Sequence, residues 1–366
     1  MLCAVFLCAA MNDCAGLAAI DKSPLSQSIE TLIQEQIKNY KISGLAIAVT
    51  LGDRVVFSGS YGWADLEGGV RVTSKTLFRI GSITKPITAT TAMMLAEQRH
   101  LDLDLPVERY CASFPQKTWP VTTRDLLGHL AGVRGFRAGS ALSPELLGNT
   151  HYDQVKDTLA LFANDPLVAE PRTRYEYSNY GYDLIGCVLE GASGKTFEDL
   201  LRDAIFIPAG MRMTKIDDST RIIPNRSRSY THDKDGSIRN ASCLDTSNRI
   251  AAVGLLSSAD DLARFTVALQ SGKLLSTAGR ESMWTEQQTK QGTGTGYGLG
   301  WMIRNHRGTP VVAHTGELPS ASSILYILPA KHISFVVLAN SDAAGLWKLA
   351  DRLADVLTSS SNAHQN

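Results

Sequence analysis

Short apolar runs gather at the two ends of the chain. Residues 44–50 and 55–59 read as strands, and the Leu51-Gly52-Asp53-Arg54 segment between them is the pattern of a hairpin with Gly-Asp at its turn. Toward the other end, residues 298–304, 310–314, 322–328 and 333–340 are apolar or alternating runs separated by Gly, Pro and polar turns, and residues 346–357 then repeat with a helical period. The middle of the chain reads as helix and loop, with helices predicted over residues 83–99, 123–131, 182–190, 197–204 and 259–270. Thr122, with Asp125 three positions on, makes a capping box for the second of these, and Gly132 is placed to end it.

The simplest assembly joins the strands of both termini in one antiparallel sheet. This predicts an α+β fold: a sheet lobe from about residues 20–105 and 290–358, flanked by helices, and an inserted, mostly helical lobe from about 106–289. A site is then expected in the cleft between lobes. The only low-complexity stretch is the polar tail at residues 358–366, which is expected to fray.

A length of 366 residues allows two domains or one large two-lobed unit, and 44% hydrophobic with 20% charged residues is ordinary for a globular chain. Lys plus Arg and Asp plus Glu are both 36, with no long run of like charge, which argues against a nucleic-acid partner. Leu2 to Met11 is an apolar run followed by the small residues Gly16, Ala18 and Ala19. Residues 1–19 therefore read as an export signal, placing the mature chain in the periplasm or medium, although the first basic residue is Lys22 and a positive n-region is missing. The run is too short to span a bilayer, so no integral membrane segment is expected in the mature chain.

Of six cysteines, Cys3, Cys8 and Cys14 belong to the leader. Cys111, Cys187 and Cys243 are far apart, lack the spacing of metal ligands, and read as buried structural thiols of which at least one is unpaired. Neither a metal nor another cofactor is expected.

Chemistry enters with Gly81-Ser82-Ile83-Thr84-Lys85-Pro86. Gly81 breaks the preceding structure and Ser82 is a natural N-cap for the helix that follows. Serine and lysine three apart then share one helical face, with the lysine one turn from the hydroxyl. A serine hydroxyl is a poor nucleophile until a base takes its proton, and a lysine with a depressed pKa can serve. Ser-x-x-Lys alone arises about once by chance in a chain of this size, so the weight falls on its companions. Tyr175-Glu176-Tyr177-Ser178-Asn179 lies between a loop and a helix, where Tyr177 can act in proton transfer and Asn179 can donate to a substrate carbonyl. Val311-Val312-Ala313-His314-Thr315-Gly316 is an apolar strand ending in polar residues and a glycine, an edge along which a substrate can lie.

Together these residues resemble the serine β-lactamase and penicillin-binding family, whose motifs run Ser-x-x-Lys, then Tyr-x-Asn or Ser-x-Asn, then Lys/His-Thr/Ser-Gly. Tyr177-Ser178-Asn179 with His314-Thr315-Gly316 is most similar to the class C β-lactamases, D-alanyl-D-alanine carboxypeptidases, D-aminopeptidases and β-lactamase-like esterases. The resemblance covers roughly residues 30 to 355. It implies a hydrolase of esters, amides or D-amino-acid peptides, acting on a small molecule or short peptide. In that reading Ser82 is the acylated nucleophile and Lys85 and Tyr177 form the base system. The N–H groups of Ser82 and Glu317 form the oxyanion hole, and Asn179, His314, Thr315 and Gly316 contact substrate.

Relatives often follow His-Thr-Gly with a second glycine, whereas this chain has Glu317-Leu318-Pro319-Ser320, which sets an acid beside the site. This puts recognition of a substrate carboxylate in question and makes a β-lactamase-like carboxylesterase the alternative to a D-Ala-D-Ala carboxypeptidase. The reading from another class is a non-catalytic penicillin-sensing module on the same fold. His314, standing where relatives often carry a lysine, is expected to titrate near neutrality and to make activity on anions pH-dependent.

Overall fold

The computed structural model describes residues 23–136 and 150–362. The expected export signal over residues 1–19 lies outside them.

Ser23 opens helix α1 (Pro24–Tyr40): its Oγ accepts the Ser26 N–H at 3.2 Å, and Pro24 fills a first-turn position where no N–H is needed. The hairpin follows as β1 (Gly44–Leu51) and β2 (Arg54–Asp65), then β3 (Val70–Arg71) and β4 (Phe78–Arg79). Helix α2 (Thr84–Glu97) and the short α3 (Thr123–Leu127) lead to α4 (Asn179–Ser193). After β5 (Lys215–Ile216), β6 (Tyr230–His232), β7 (Ile238–Asn240) and β8 (Leu255–Ser257) comes α5 (Ala259–Gln270). The chain ends in β9 (Met302–His306), β10 (Thr309–Leu318), β11 (Ala321–Leu328), β12 (Ile333–Ala339) and α6 (Leu346–Asn362).

The main sheet runs β3-β2-β1-β12-β11-β10-β9, with its described pairings antiparallel. Its two halves join where β1 meets β12, from Leu45 opposite Ala339 to Leu51 opposite Ile333, so the chain ends do share one sheet. The near-continuous apolar runs are explained by burial on both faces. Leu45, Ile47, Val49, Phe335 and Val337 pack with Ile29 and Ile33 of α1 and Leu349 and Leu353 of α6. Ala46, Ala48, Leu325, Val336 and Leu338 join the larger core around α2, α4 and α5. Each such Leu, Ile or Val is worth about 1.5–3 kcal/mol relative to exposure, which holds α2 between sheet and helices and fixes the height of the residues at its start.

Local outcomes differ from the sequence pattern in several places. The Thr122 cap forms, with Oγ1 accepting the Asp125 N–H at 3.2 Å, but α3 stops at Leu127 instead of running to residue 131. The helix expected over 197–204 is α-helical at Phe197–Leu201 and then widens into a π-helical turn at Arg202–Phe206. The tail expected to fray is helical as far as Asn362.

The three thiols also sort differently. Cys111 and Cys187 form a disulfide with Cα atoms 5.5 Å apart, within the normal span for such a bond, and Cys243 is exposed. A separation of 76 residues hides the pair from any local motif. The bridge ties α4, which carries Asn179 at its start, to the turn around Cys111.

Candidate active site

Gly81 has φ +52, and a Cβ there would come 3.1 Å from the Gly316 Cα and 3.4 Å from the Glu317 nitrogen. The backbone of Ser82 is thereby laid directly against the end of β10. Gly316 is needed for the same contact, since a Cβ at that position would fall 2.0 Å from the Ile80 carbonyl oxygen. Ser82 does not act as the expected N-cap. A 3-10 turn at Gly81–Ile83 tightens the entry to α2, the cap position falls to Ile83 without a side-chain bond, and the Ser82 hydroxyl turns to other partners.

Those partners are the expected ones. Lys85 Nζ lies 3.0 Å from Ser82 Oγ, and the Tyr177 hydroxyl donates to the same oxygen at 3.0 Å. Lys85 also donates to Asn179 Oδ1 at 2.7 Å and to the Ala252 carbonyl at 3.1 Å. With its Oδ1 engaged, Asn179 presents its NH₂ as the group that can donate to a substrate carbonyl. Lys85 is fully buried. That burial pushes its pKa well below the ordinary lysine value, with Arg249 adding to the depression and Asp183 opposing it. Burial pushes the Tyr177 phenol the other way, well above its ordinary value, with the Ser82 bond opposing. Burial thus favours the uncharged form of both groups, the phenol of Tyr177 and the neutral amine of Lys85.

His314 is placed by the strand's alternation on the face opposite Thr315 and is fully buried. Its Nδ1–H donates to the Thr315 carbonyl at 2.6 Å and its Nε2 accepts from the Tyr297 hydroxyl at 2.8 Å, an arrangement for neutral imidazole. Burial, with a smaller contribution from Lys85, lowers its pKa to about 3. The expectation of a titration near neutrality is therefore corrected: this histidine supports the strand from behind and does not meet the cleft.

The cleft has a volume of about 350 Å³, and Ser82, Tyr177, Asn179, Thr315, Glu317 and Arg249 are among its lining residues. Glu317 is exposed at its rim, and its Oε2 accepts from Ser322 Oγ at 3.0 Å. Partial burial, with Asp342 nearby, raises its carboxyl pKa despite that bond. Arg249 is wholly buried, with Nη1 donating to Asn248 Oδ1 at 2.9 Å and its guanidinium 5.3 Å over the Phe136 ring. A larger depression of about 530 Å³ is lined by His151, Glu190, Ser247 and Ile250 among others. Its Ser247 Oγ accepts the Tyr152 N–H at 3.0 Å and meets no described lysine, unlike Ser82 in the smaller cleft.

Several residues of this constellation are not apparent from motifs. Asp183 is buried one turn after Asn179 on α4, accepts the Ala251 N–H at 3.3 Å, and opposes the desolvation of Lys85. Its own carboxyl is pushed well up by burial. The i, i+4 spacing from Asn179 is the one signal that marks it. Arg249, the Ala252 carbonyl, Tyr297 and His129 arrive from distant segments.

The sequence profile of the Beta-lactamase family matches residues 29–358. The chain belongs to the Beta-lactamase family. Within this group of hydrolases it is 26% identical over 337 residues to penicillin-binding protein 4* of Bacillus subtilis (strain 168), covering 86% of this chain and 71% of that one. The D-amino acid amidase of Ochrobactrum anthropi SV3, solved with D-phenylalanine, superposes with a TM-score of 0.79 at 24% identity, over 92% of this chain and 100% of that one. EstCE1, a hydrolase with promiscuous acyltransferase activity, superposes with a TM-score of 0.76 at 23% identity, over 91% and 98%. The α+β architecture expected for a β-lactamase-family chain is the one observed, with an antiparallel sheet built from both chain ends.

Proposed function

We propose that the protein is a serine acyl hydrolase that passes through an ester on Ser82. The observation that carries this is a single hydroxyl at a cleft, in contact with a buried lysine on one side and a half-buried tyrosine on the other, each at 3.0 Å. Lys85 is the base in this reading, because burial favours its neutral amine and Tyr177 stays a phenol.

The Ser82 oxygen bonds to the carbonyl carbon while its proton passes to Lys85 Nζ, and the carbonyl electrons move to oxygen. The N–H groups of Ser82 and Glu317 stabilise that oxyanion, a role supported by the close fit of Gly81 against Gly316 and the Glu317 nitrogen. Collapse breaks the bond to the leaving group, which takes a proton from Tyr177 as Tyr177 takes one from Lys85. Water then attacks the acyl-Ser82 ester by the same groups, releasing acid and free serine. Asn179 and Thr315 orient the acyl portion.

The substrate class follows from charge at the rim. Glu317 sets an exposed carboxylate beside the carbonyl site, while the Arg249 guanidinium is held by Asn248 and balanced by Asp183. Uncharged esters or amides are accepted better than penicillins or peptides with a free carboxylate. The names of two proteins that share the fold, an amidase and an Est-designated hydrolase, fit that preference. We place the mature chain outside the cytoplasm, periplasmic or secreted, a location supported by the Cys111–Cys187 disulfide.

The test is to incubate the protein with a fluorophosphonate probe and with a fluorescent penicillin, and to assay short p-nitrophenyl esters, D-amino acid amides, a D-Ala-D-Ala peptide and a cephalosporin. Covalent fluorophosphonate labelling with turnover of esters or amides is expected. Absence of labelling and turnover, with reversible penicillin binding, returns the non-catalytic module in its place.

A further inference from the structure

Helix α3 ends at Leu127, and after Gly128 the chain places His129 at φ +58, a left-handed conformation that histidine enters more readily than most residues. This turn aims both the carbonyl and the ring of His129 at the segment carrying Tyr177. Its carbonyl accepts the Glu176 N–H at 2.9 Å, and its Nδ1 accepts the Ser178 N–H at 3.2 Å. Between these two bonds its ring packs on Tyr177, with centroids 4.3 Å apart and planes tilted by 40°. Ser178 is fixed in turn: its Oγ donates to the Arg134 carbonyl at 2.7 Å and caps α4 by accepting the Gly181 N–H at 2.9 Å.

We infer that His129 is a positioning residue, holding the Tyr177 hydroxyl on Ser82 by accepting the amide N–H on either side of that tyrosine and packing on its ring. The inference rests on the reading of Ser82 and Tyr177 as reacting groups. His129 touches neither Ser82 nor substrate in this reading and acts through Tyr177 alone.

Two features separate this from a histidine that merely fills space. Accepting an N–H at Nδ1 requires neutral imidazole protonated on Nε2, and burial pushes its pKa well below the ordinary value. Nε2 is buried with no hydrogen-bond partner among the described residues, and the rings of Tyr297 and Tyr182 lie 4.8 and 5.2 Å away. A phenylalanine would pack there without that desolvation cost. What it cannot supply is the acceptor for Ser178. The carbonyl bond to Glu176 survives any substitution, so the side chain's share of the clamp can be tested by itself.

Two replacements divide the ring from the acceptor. His129→Asn tolerates the left-handed conformation and keeps an acceptor at the δ position, whereas His129→Phe keeps a ring and loses the acceptor. The rate constant for fluorophosphonate labelling is measured for each, in the native and the Tyr177→Phe backgrounds. We expect His129→Phe to slow labelling by about tenfold or more in the native background and by less than about twofold when Tyr177 is already Phe, with His129→Asn within about threefold of the native rate. Equal slowing in both backgrounds overturns the inference, as does His129→Asn slowing labelling as much as His129→Phe. If Ser82→Ala is labelled as fast as the native protein, the proposed function fails instead. The ¹³Cζ tyrosine resonance of Tyr177, assigned by its loss in Tyr177→Phe, then decides: a shift in His129→Phe but not in His129→Asn supports the clamp, and no shift in either overturns it. Should His129→Phe not fold, His129→Leu carries the same comparison.

Discussion

Lys85 and Ser82 stand 3.0 Å apart, Nζ to Oγ, yet the lysine is sealed from water and the serine opens on a cleft. The lysine's burial suits it to give and take a proton, and the serine's exposure suits it to meet an acyl group. Lys85→Ala and Tyr177→Phe are each expected to slow acylation by about 10²–10⁴-fold. The double variant should resemble the slower single one, because the two serve one proton-transfer unit. Single-turnover kinetics check this, and losses that multiply would show independent action.

His314 makes a prediction about acid. Its folded pKa of about 3 lies below the ordinary 6.5, so between these values the unfolded chain binds a proton that the folded chain does not. Its contribution to stability is therefore complete above about pH 6.5 and is lost as pH falls toward 3. His314→Gln should show a shallower loss of stability over that window, by up to about 1.4 kcal/mol per pH unit for one proton. Urea unfolding at a series of pH values measures it. The kcat/KM profile between pH 5 and 8 should carry no inflection that disappears in this variant.

Glu317 is expected to discriminate against anions. A like charge at about 4 Å costs about 1 kcal/mol in water and more at the protein surface. Glu317→Gln should thus raise kcat/KM for a D-Ala-D-Ala peptide relative to its C-terminal amide by about fivefold or more. Since burial raises the Glu317 pKa, the native protein's discrimination should weaken as pH falls and the carboxyl takes up a proton. A native preference for the free-acid peptide contradicts this assignment.

The motifs of the candidate site are legible because they depend on spacing within one element. Ser82 and Lys85 lie on adjacent turns, Tyr177 and Asn179 flank a cap, and Thr315 and Gly316 lie near the end of a strand. Each motif carries its geometry locally, and the resemblance to known motifs supplies the order. What escaped depends on contacts between distant segments. Asp183 on α4, with Arg249 and the Ala252 carbonyl on the short helical stretch over residues 247–253, sets the environment of Lys85, and no local pattern marks the approach of the last two. His129 fell within an expected helix that ends earlier, and its left-handed turn at φ +58 is what gives it a role. The burial of His314 is not legible in the sequence because strand alternation tells which residues share a face, whereas burial on both faces is decided by what packs behind.

The Cys111–Cys187 bridge was hidden for the same reason, and its removal is expected to act on stability. Cys111→Ser with Cys187→Ser should lower unfolding free energy by about 2–5 kcal/mol, while fluorophosphonate labelling at 25 °C changes little. Denaturant unfolding beside a labelling time course separates the two effects.

The central claim is that Ser82 Oγ carries the acyl group, and intact-mass spectrometry after reaction with a fluorophosphonate tests it most directly. The native protein should gain the mass of one phosphonyl group, peptide mapping should place it on Ser82, and Ser82→Ala should gain none while melting close to the native temperature. An adduct of the same mass and rate on Ser82→Ala, or none on the native protein, contradicts the account.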